Sequence, residues 1–531
     1  MNRYLRKILL KLSLGFLFFA GLGSCGKTEN QSLSDPQQPA ATPEIPAVTE
    51  QSELSGADLA KRYCGGCHSL PQPDLLDRKT WEAYILNRMG HYYGIYETAD
   101  TRAGIIEGGR AGQFVERANL FPLRPTLDTL LYNKIRSYYL GEAPEALPRP
   151  PKREISVGLR QFKVRQPPYR ANSPMTSLVK IAAPNKVYVS DVGRSSLSVM
   201  DKNFSISRNA PAREGVSWIY EQGTLSLALV MGTFNPTDMN IGYLMTLPQV
   251  RGGDAKILVQ DLQRPVHFDV GDLDGDGQLE LVICEYGKHT GSLSLWKKDQ
   301  GGIYRKQVLR AQPGATKAYM VDLTGNGRKD IVALFGQGDE GIFIYHNQGN
   351  GNFVEERILS FPPSYGSSYF ELVDMNADGY LDILYTAGDN ADYDPILKGY
   401  HGIRIFENDG TNHFSEAFFY PLNGAYKAVA ADFDGDGDLD IAAMSFFPDY
   451  KNQPEESFVY LENKGQGNYS ASTFTDPAQG RWIAMDVGDV DGDGDLDIIL
   501  GSMVFGTDFS DYFDRWAKNG VPYLILENLA K

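Results

Sequence analysis

Five nine-residue acidic stretches, spaced almost evenly, constrain this chain more than any other feature. They read DLDGDGQLE from Asp272, DLTGNGRKD from Asp322, DMNADGYLD from Asp374, DFDGDGDLD from Asp432 and DVDGDGDLD from Asp489. Their first residues lie 50, 52, 58 and 57 positions apart. Self-similarity at such a period is the signature of a repeat architecture, in which each unit buries its apolar face only against its neighbours.

The stretches share a chemistry as well as a spacing. Oxygen-bearing side chains recur at positions 1, 3, 5 and 9: Asp272, Asp274, Asp276 and Glu280; Asp322, Thr324, Asn326 and Asp330; Asp374, Asn376, Asp378 and Asp382; Asp432, Asp434, Asp436 and Asp440; Asp489, Asp491, Asp493 and Asp497. Glycine at position 6 allows a sharp turn, and the backbone carbonyl at position 7 (Gln278, Arg328, Tyr380, Asp438, Asp495) adds an oxygen. Such a set suits a hard cation with six to eight oxygen ligands, hence Ca²⁺ in preference to Mg²⁺. Asp-Gly runs also serve as plain turns, but five in register favour about five calcium sites. The loop at Asp322, with two carboxylates among those four positions, is the weakest of them.

The flanks are apolar β runs, LELVICE, DIVALFG, LDILYTA and LDIAAMS. Loops and flanks together resemble the FG-GAP or VCBS-type repeats of integrin α-subunit propellers and bacterial surface proteins. The resemblance implies that each loop joins the first two strands of a blade. A third apolar segment and a Gly/Asn-rich hairpin follow each loop, as in IFIYHNQGNGNFVEERIL, completing four strands in about 50 residues. Two more blade-sized units without acidic loops fit residues 170–263, giving seven blades. The last repeat stops after its third strand, so the β-like segment 155–169 is expected to supply the fourth and close the ring.

Upstream the chain changes character. Arg3, Arg6, Lys7 and Lys11 precede the apolar run LSLGFLFFAGLG, which is too short for a comfortable membrane span and reads as an export signal. Its end, Leu22-Gly23-Ser24-Cys25, resembles a bacterial lipobox, which implies lipidation at Cys25 and a lipid-anchored place in the cell envelope, at the outer membrane. Removing residues 1–24 takes the net charge from −16 to −20, which excludes a nucleic-acid binder. Residues 25–53, rich in Pro, Gln, Ser and Thr, read as a disordered tether. The expected organisation is therefore signal 1–24, tether 25–53, a small domain 54–145 and a propeller 146–531.

Within the small domain the run LAKRYCGGCHSL places Cys64, Cys67 and His68 as CxxCH. With Cys25 assigned to lipid, Cys284 is the one cysteine left, so a four-cysteine zinc site is impossible, and no second CxxC completes a mixed one. A redox dithiol fits poorly too, because a capped helix and not a strand leads into the motif. CxxCH is the attachment sequence of haem c, with both thiols joined to the vinyl groups and the histidine as proximal ligand. The segment resembles class I cytochrome c domains, giving the fold class of a small all-α cytochrome domain plus an all-β seven-bladed propeller. The resemblance implies that a helix ending at Cys64 crosses a closing helix at 126–141, whose stripe Leu127, Leu130, Leu131, Ile135 and Tyr138 is buried. Met89, the one methionine between His68 and Met175, is the expected distal ligand, with His91 its rival. Pro71 or Pro73 is expected to orient the His68 ring through a carbonyl.

Function follows from this combination. The first expectation is an electron-transfer lipoprotein whose propeller docks a redox partner protein, or a glycan or other surface ligand. The alternatives are a propeller dehydrogenase feeding the haem, and an adhesion protein with a haem sensor. The propeller sequence offers little catalytic chemistry: His267, His289, His346, His401 and His413 form no motif, and Cys284 reads as a buried small hydrophobe. An electron carrier is therefore favoured over an enzyme.

Overall fold

The computed structural model describes residues 53–530 apart from 213–214, 249–252, 391–395, 466 and 506–510. The segments expected to be an export signal and a tether, with Cys25, lie outside the described residues but for the last residue of the tether. Among the described residues the β-strands form seven sheets. Each contains four antiparallel strands, one of them with a short fifth strand added in parallel at its outer edge, and together they are the seven blades of a β-propeller.

Blade 1 spans Thr176–Ala183, Lys186–Asp191, Ser196–Met200 and Ile206–Pro211. Blade 2 spans Val216–Gln222, Leu225–Val230, Gly242–Thr246 and Ile257–Leu262. The innermost strands of blades 3 to 7 are Pro265–Gly271, Ala315–Val321, Ser367–Val373, Ala425–Ala431 and Trp482–Gly488. Their second strands, Glu280–Glu285, Asp330–Phe335, Asp382–Ala387, Asp440–Ser445 and Asp497–Ser502, are buried at every residue. A strand covered on both faces by neighbouring sheets needs a continuous apolar run, which is what the sequence supplies there. The outermost strands face water; Asn352–Ser360 is mostly exposed.

Apolar clusters lie between successive blades and hold the ring together. Val282, Cys284, Leu293 and Leu295 of blade 3 pack on Ala318, Met320, Ile331 and Phe335 of blade 4. Cys284 is thus a buried hydrophobe, and burial pushes its thiol well above the ordinary range.

The ring closes where expected, but through fewer residues. Phe162–Arg165 pairs antiparallel with Tyr523–Asn528, the third strand of blade 7, with Phe162 opposite Asn528. Ser156–Val157 pairs instead in parallel with Tyr469–Thr473 on the outside of blade 6. Gly158 separates the two pairings at φ +117°, a conformation L side chains rarely adopt, and lets the chain cross from one blade to the next.

Residues 56–142 form short helices: Gly56–Tyr63, Leu86–Tyr92, Thr101–Ile105, Gly109–Arg117 and Thr129–Glu142. Gly56 lies against the last of these; a Cβ there would sit 2.6 Å from Tyr138 Cβ, so only glycine permits the approach. The stripe on Thr129–Glu142 differs from expectation. Asp128 caps the helix through Leu130 N, and the buried set is Leu131, Tyr132, Ile135 and Tyr139, with Leu127 just ahead. Leu130 falls on the outer face at 75% exposure, because the helix starts three residues later than expected and the turn of 3.6 residues carries position 130 away from 131 and 135. No helix among the described residues is long and apolar enough to cross a membrane.

The described residues fall in one compact unit, so helices and propeller pack together. Successive connections in a meander alternate between its two ends, so the acidic loops occupy one face and the second-to-third-strand connections the other. The helices sit on the latter. Glu107 accepts from Thr237 Oγ1 and pairs with Lys288 at 3.0 Å, Phe121 meets His289 edge-on at 5.0 Å, and Tyr400 Oη donates to Leu75 O at 2.9 Å.

Candidate functional site

Two sets of residues on opposite faces carry recognisable chemistry. The first surrounds Cys64. The helix Gly56–Tyr63, capped by Ser55 accepting from Asp58 N, ends at Cys64, and a tight turn over Cys64–Gly66 brings Cys67 round to the surface. Both are free thiols, Cys64 half-buried and Cys67 exposed. Burial, then the neighbouring Cys67, pushes the Cys64 thiol up to about 11, as expected for sulfur against apolar surroundings.

Those surroundings are one apolar cluster built on Leu59, Trp81, Leu86, Leu131, Tyr132, Ile135 and Tyr139. Cys64 and Met89 both border it, as does Ile396 from the second-to-third connection of blade 5. Hydrogen bonds fix the two segments against each other. Tyr93 Oη, one residue past the helix that bears Met89, donates to Tyr63 O at 2.8 Å, immediately before Cys64. Tyr132 Oη donates to Leu86 O at the start of that same helix, just after a widened helical turn over Trp81–Ile85. Buried tyrosines thus serve as struts: their rings fill the cluster and their hydroxyls satisfy backbone carbonyls.

His68 Nδ1 donates to Ser69 O at 2.9 Å, which selects the tautomer whose Nε2 lone pair is free for a metal. The orienting carbonyl is therefore that of Ser69. Those of Pro71 and Pro73 accept instead from Tyr139 Oη and Trp81 Nε1, both at 2.8 Å, because these buried aromatic donors need acceptors of their own. His91, the rival ligand, has its Nε2 2.9 Å from Glu97. Burial alone would raise the Glu97 carboxyl, but the His91 hydrogen bond prevails and holds it below its usual range. An imidazole already paired to a carboxylate is a poorer candidate than the thioether of Met89. The residues present fit a covalent haem: one thiol, Cys64, at the rim of an apolar cluster and a second, Cys67, exposed three residues on, an imidazole with a free nitrogen, and a methionine at the same cluster.

The second set is the five acidic loops. Each joins the first and second strands of blades 3 to 7. In every loop the position 1 carboxylate accepts two backbone N–H groups further round the turn, as Asp272 does from Gly275 (2.7 Å) and Gly277 (3.0 Å), and Asp489 from Gly492 (2.6 Å) and Gly494 (3.3 Å). Three loops draw carboxylate oxygens within 4.8 Å of one another: Asp272, Asp274 and Asp276; Asp432, Asp434 and Asp436; Asp489, Asp491 and Asp493. At Asp322 and Asp374, amide and hydroxyl side chains replace carboxylates (Thr324 and Asn326; Asn376), and three acids do not gather. Such a set of oxygens can share one cation.

Position 9 works for the fold. Asp497 accepts from Val490 N and Asn528 N, both at 2.8 Å; Asp382 accepts from Met375 N and Asn408 N. The partner is a recurrent asparagine of the third strand, Asn347, Asn408, Asn463 or Asn528. Its side chain also donates to the carbonyl before the position 9 acid, at 3.1 to 3.2 Å. The repeated HN or EN dipeptide was the available signal for this clasp. Blade 3 lacks it: Lys298 stands where the asparagine would be, and Glu280 Oε1 is buried without a hydrogen bond, 3.9 Å from Lys297 Nζ.

The loops differ electrically. Burial, then Asp493, pushes Asp495 up to about 7, and burial raises Asp497 to about 6. Against this crowd of carboxylates stands a single ion pair among the described residues, from Lys202 Nζ to Asp491 at 3.5 Å. In blade 3, by contrast, Lys297 Nζ contacts Asp274 and lies 3.3 Å from Asp276.

Of the propeller histidines, His267 and His401 are buried and held neutral by burial, His346 bonds Glu356 at 2.6 Å, and His413 lies at the surface. His289 is the one turned to the helices.

Comparison with known proteins places the repeats. Residues 272–333, 322–385 and 394–443 match the FG-GAP-like repeat, the first two from the opening aspartate of an acidic loop. Over 252 residues the chain is 29% identical to cartilage acidic protein 1 of Mus musculus, covering 43% of this chain and 37% of that protein. The Homo sapiens protein of the same name is 24% identical over 250 residues, covering 43% and 36%. The chain thus spans little more than a third of these relatives. Among solved structures, virginiamycin B lyase from Staphylococcus aureus is 10% identical, covering 69% of this chain and 99% of that one at a TM-score of 0.42. The N-terminal domain of Nup159 is 12% identical, covering 71% and 99% at 0.40.

Proposed function

We propose that this chain is an extracytoplasmic electron carrier. In this reading Cys25 bears the lipid that holds it in the cell envelope, Cys64 and Cys67 bind one haem c covalently, His68 is the proximal ligand and Met89 the distal one. A haem held by these residues would supply one-electron redox chemistry, and methionine ligation would give it a relatively high potential. The protein's own contribution is placement: Tyr93 ties the Met89 helix to the residue before Cys64, Ser69 O orients His68, and the apolar cluster excludes water from one side of the group. The observation that carries the reading is that Cys64 and Met89 border one apolar cluster while their segments are hydrogen-bonded to each other.

The propeller then acts as platform. Calcium at the acidic loops holds together the face away from the helices. A redox protein is the expected partner; a glycan or other surface ligand on the propeller is the second. Protein made in a host that attaches haem should give a c-type difference spectrum on reduction, with a near-infrared methionine band that Met89→Ala removes. Persistence of that band in the variant would eliminate Met89 as ligand.

A further inference from the structure

The innermost strands carry charged residues that neither the haem reading nor the calcium reading uses. Lys180 of blade 1, Lys317 of blade 4 and Lys427 of blade 6 all act electrostatically on His267 of blade 3. Blades this far apart round the ring meet only at its axis. Three carboxylates lie among them, Asp269, Glu371 and Asp486, one from each of blades 3, 5 and 7. Each accepts a backbone N–H of the following blade: Met320 N at 2.7 Å, Ala430 N at 3.1 Å and Ile181 N at 2.7 Å. The acids are therefore inter-blade clasps.

The lysines are not equivalent. Lys180 pairs with Asp486 at 3.1 Å. Lys317 and Lys427 form no ion pair among the described residues. Lys317, 4% exposed, donates to Tyr369 Oη and lies 3.9 Å from the centre of the Tyr369 ring. Lys427 donates to Met485 O at 2.7 Å and lies 4.7 Å from the same centre. Both distances end on one point, so the two nitrogens are at most 8.6 Å apart. Each ammonium carries three donors and uses one. Lys317 is buried and Lys427 half-buried; cations withdrawn from water and short of acceptors are costly, and an anion placed between them reduces that cost.

We propose that Lys317 and Lys427, with Tyr369 between them, form a binding site on the propeller axis for a small oxyanion, a carboxylate or a phosphate. The site is independent of the haem and calcium readings. Charge around it agrees. Burial pushes the Lys317 ammonium down to about 7; Lys427 and Lys180 push the same way, while Glu371 and Asp486 oppose. Burial also lowers Lys427. Asp269, Tyr319, Tyr369 and neutral His267 complete the surroundings. A bound anion returns Lys317 to the charged form, so affinity must weaken as pH rises through about 7.

The test is thermal denaturation of the full chain at pH 6.5 with millimolar acetate, malonate or phosphate, at ionic strength fixed by sodium chloride. A saturable rise in Tm is expected with at least one probe, lost in both Lys317→Met and Lys427→Met. The responding probe tells carboxylate from phosphate. With acetate, whose charge is constant over the range, affinity should fall about 25-fold between pH 6.5 and 8.5. No saturable rise with any probe overturns the proposal, as does a rise retained in both variants. If the variants fail to fold, the wild-type profile decides: affinity independent of pH overturns it, read with a carboxylate or, where only phosphate responds, with sulfate, whose charge is constant over the range.

Discussion

Closure of the ring rests on four residues, and Phe162→Ala tests it. Phe162 is 4% exposed and packs edge-on against Phe433 at 5.7 Å and Tyr460 at 5.5 Å, within a cluster that includes Leu524 and Leu526 of blade 7. Truncating a buried phenylalanine costs about 3–5 kcal/mol, through lost burial and the cavity left behind. That range already includes the two aromatic contacts, each worth about 0.5–1.5 kcal/mol. Lys163, its neighbour on the strand, points outward and makes a 3.5 Å pair with Glu527 from an exposed position, so Lys163→Ala should cost less than about 0.5 kcal/mol. Urea unfolding followed by tryptophan fluorescence gives both values from midpoints at constant slope. A loss below about 1 kcal/mol for Phe162→Ala, or equal losses for both, would refute the pairing, since a one-residue slip exchanges inner and outer faces.

Other outcomes follow from the same structure. Chelation should lower the melting temperature of the propeller, and Lys297→Met should raise the number of calcium ions bound or their affinity, read by calorimetry, because the Lys297 ammonium occupies the carboxylates of the first loop. Gly56→Val should break the crossing of Gly56–Tyr63 with Thr129–Glu142 and reduce haem incorporation, read as haem absorbance per protein. Burial raises the Glu456 carboxyl to about 7, from an ordinary 4.5, against hydrogen bonds from Asp449 N and Asn423. The folded state therefore holds a proton that the unfolded chain releases, so this contribution is complete below about pH 4.5 and lost as pH rises through about 7. Glu456→Gln should flatten that decline, worth up to about 3 kcal/mol, in a pH series of denaturation midpoints.

Local, periodic features could be read from the chain. The acidic loops and their apolar flanks each lie within about 15 residues, so spacing gave the repeats, and the resemblance to FG-GAP-type repeats implied the loop positions between first and second strands. The closing strand was legible because the last repeat lacked a fourth one. Leu130 was misplaced because one missed cap, Asp128, shifts which residues of a helix face inward. The asparagine clasp was present as a recurrent dipeptide, yet its role depends on a bond across 17 to 31 residues, as from Asn347 to Asp330 and Asn528 to Asp497. The Glu107 contacts with Thr237 and Lys288, and the meeting of Lys317 with Lys427, join segments more than a hundred residues apart and leave no local pattern.

The central claim is a haem bound covalently at Cys64 and Cys67, and a denaturing gel stained for haem peroxidase activity tests it most directly, with a reduced-minus-oxidised spectrum of the same preparation. The account predicts a stained band at the mass of the chain and a c-type spectrum, both lost when Cys64 and Cys67 are replaced by serine. An unstained band from a host with working haem attachment, with both thiols titrating freely, would contradict it.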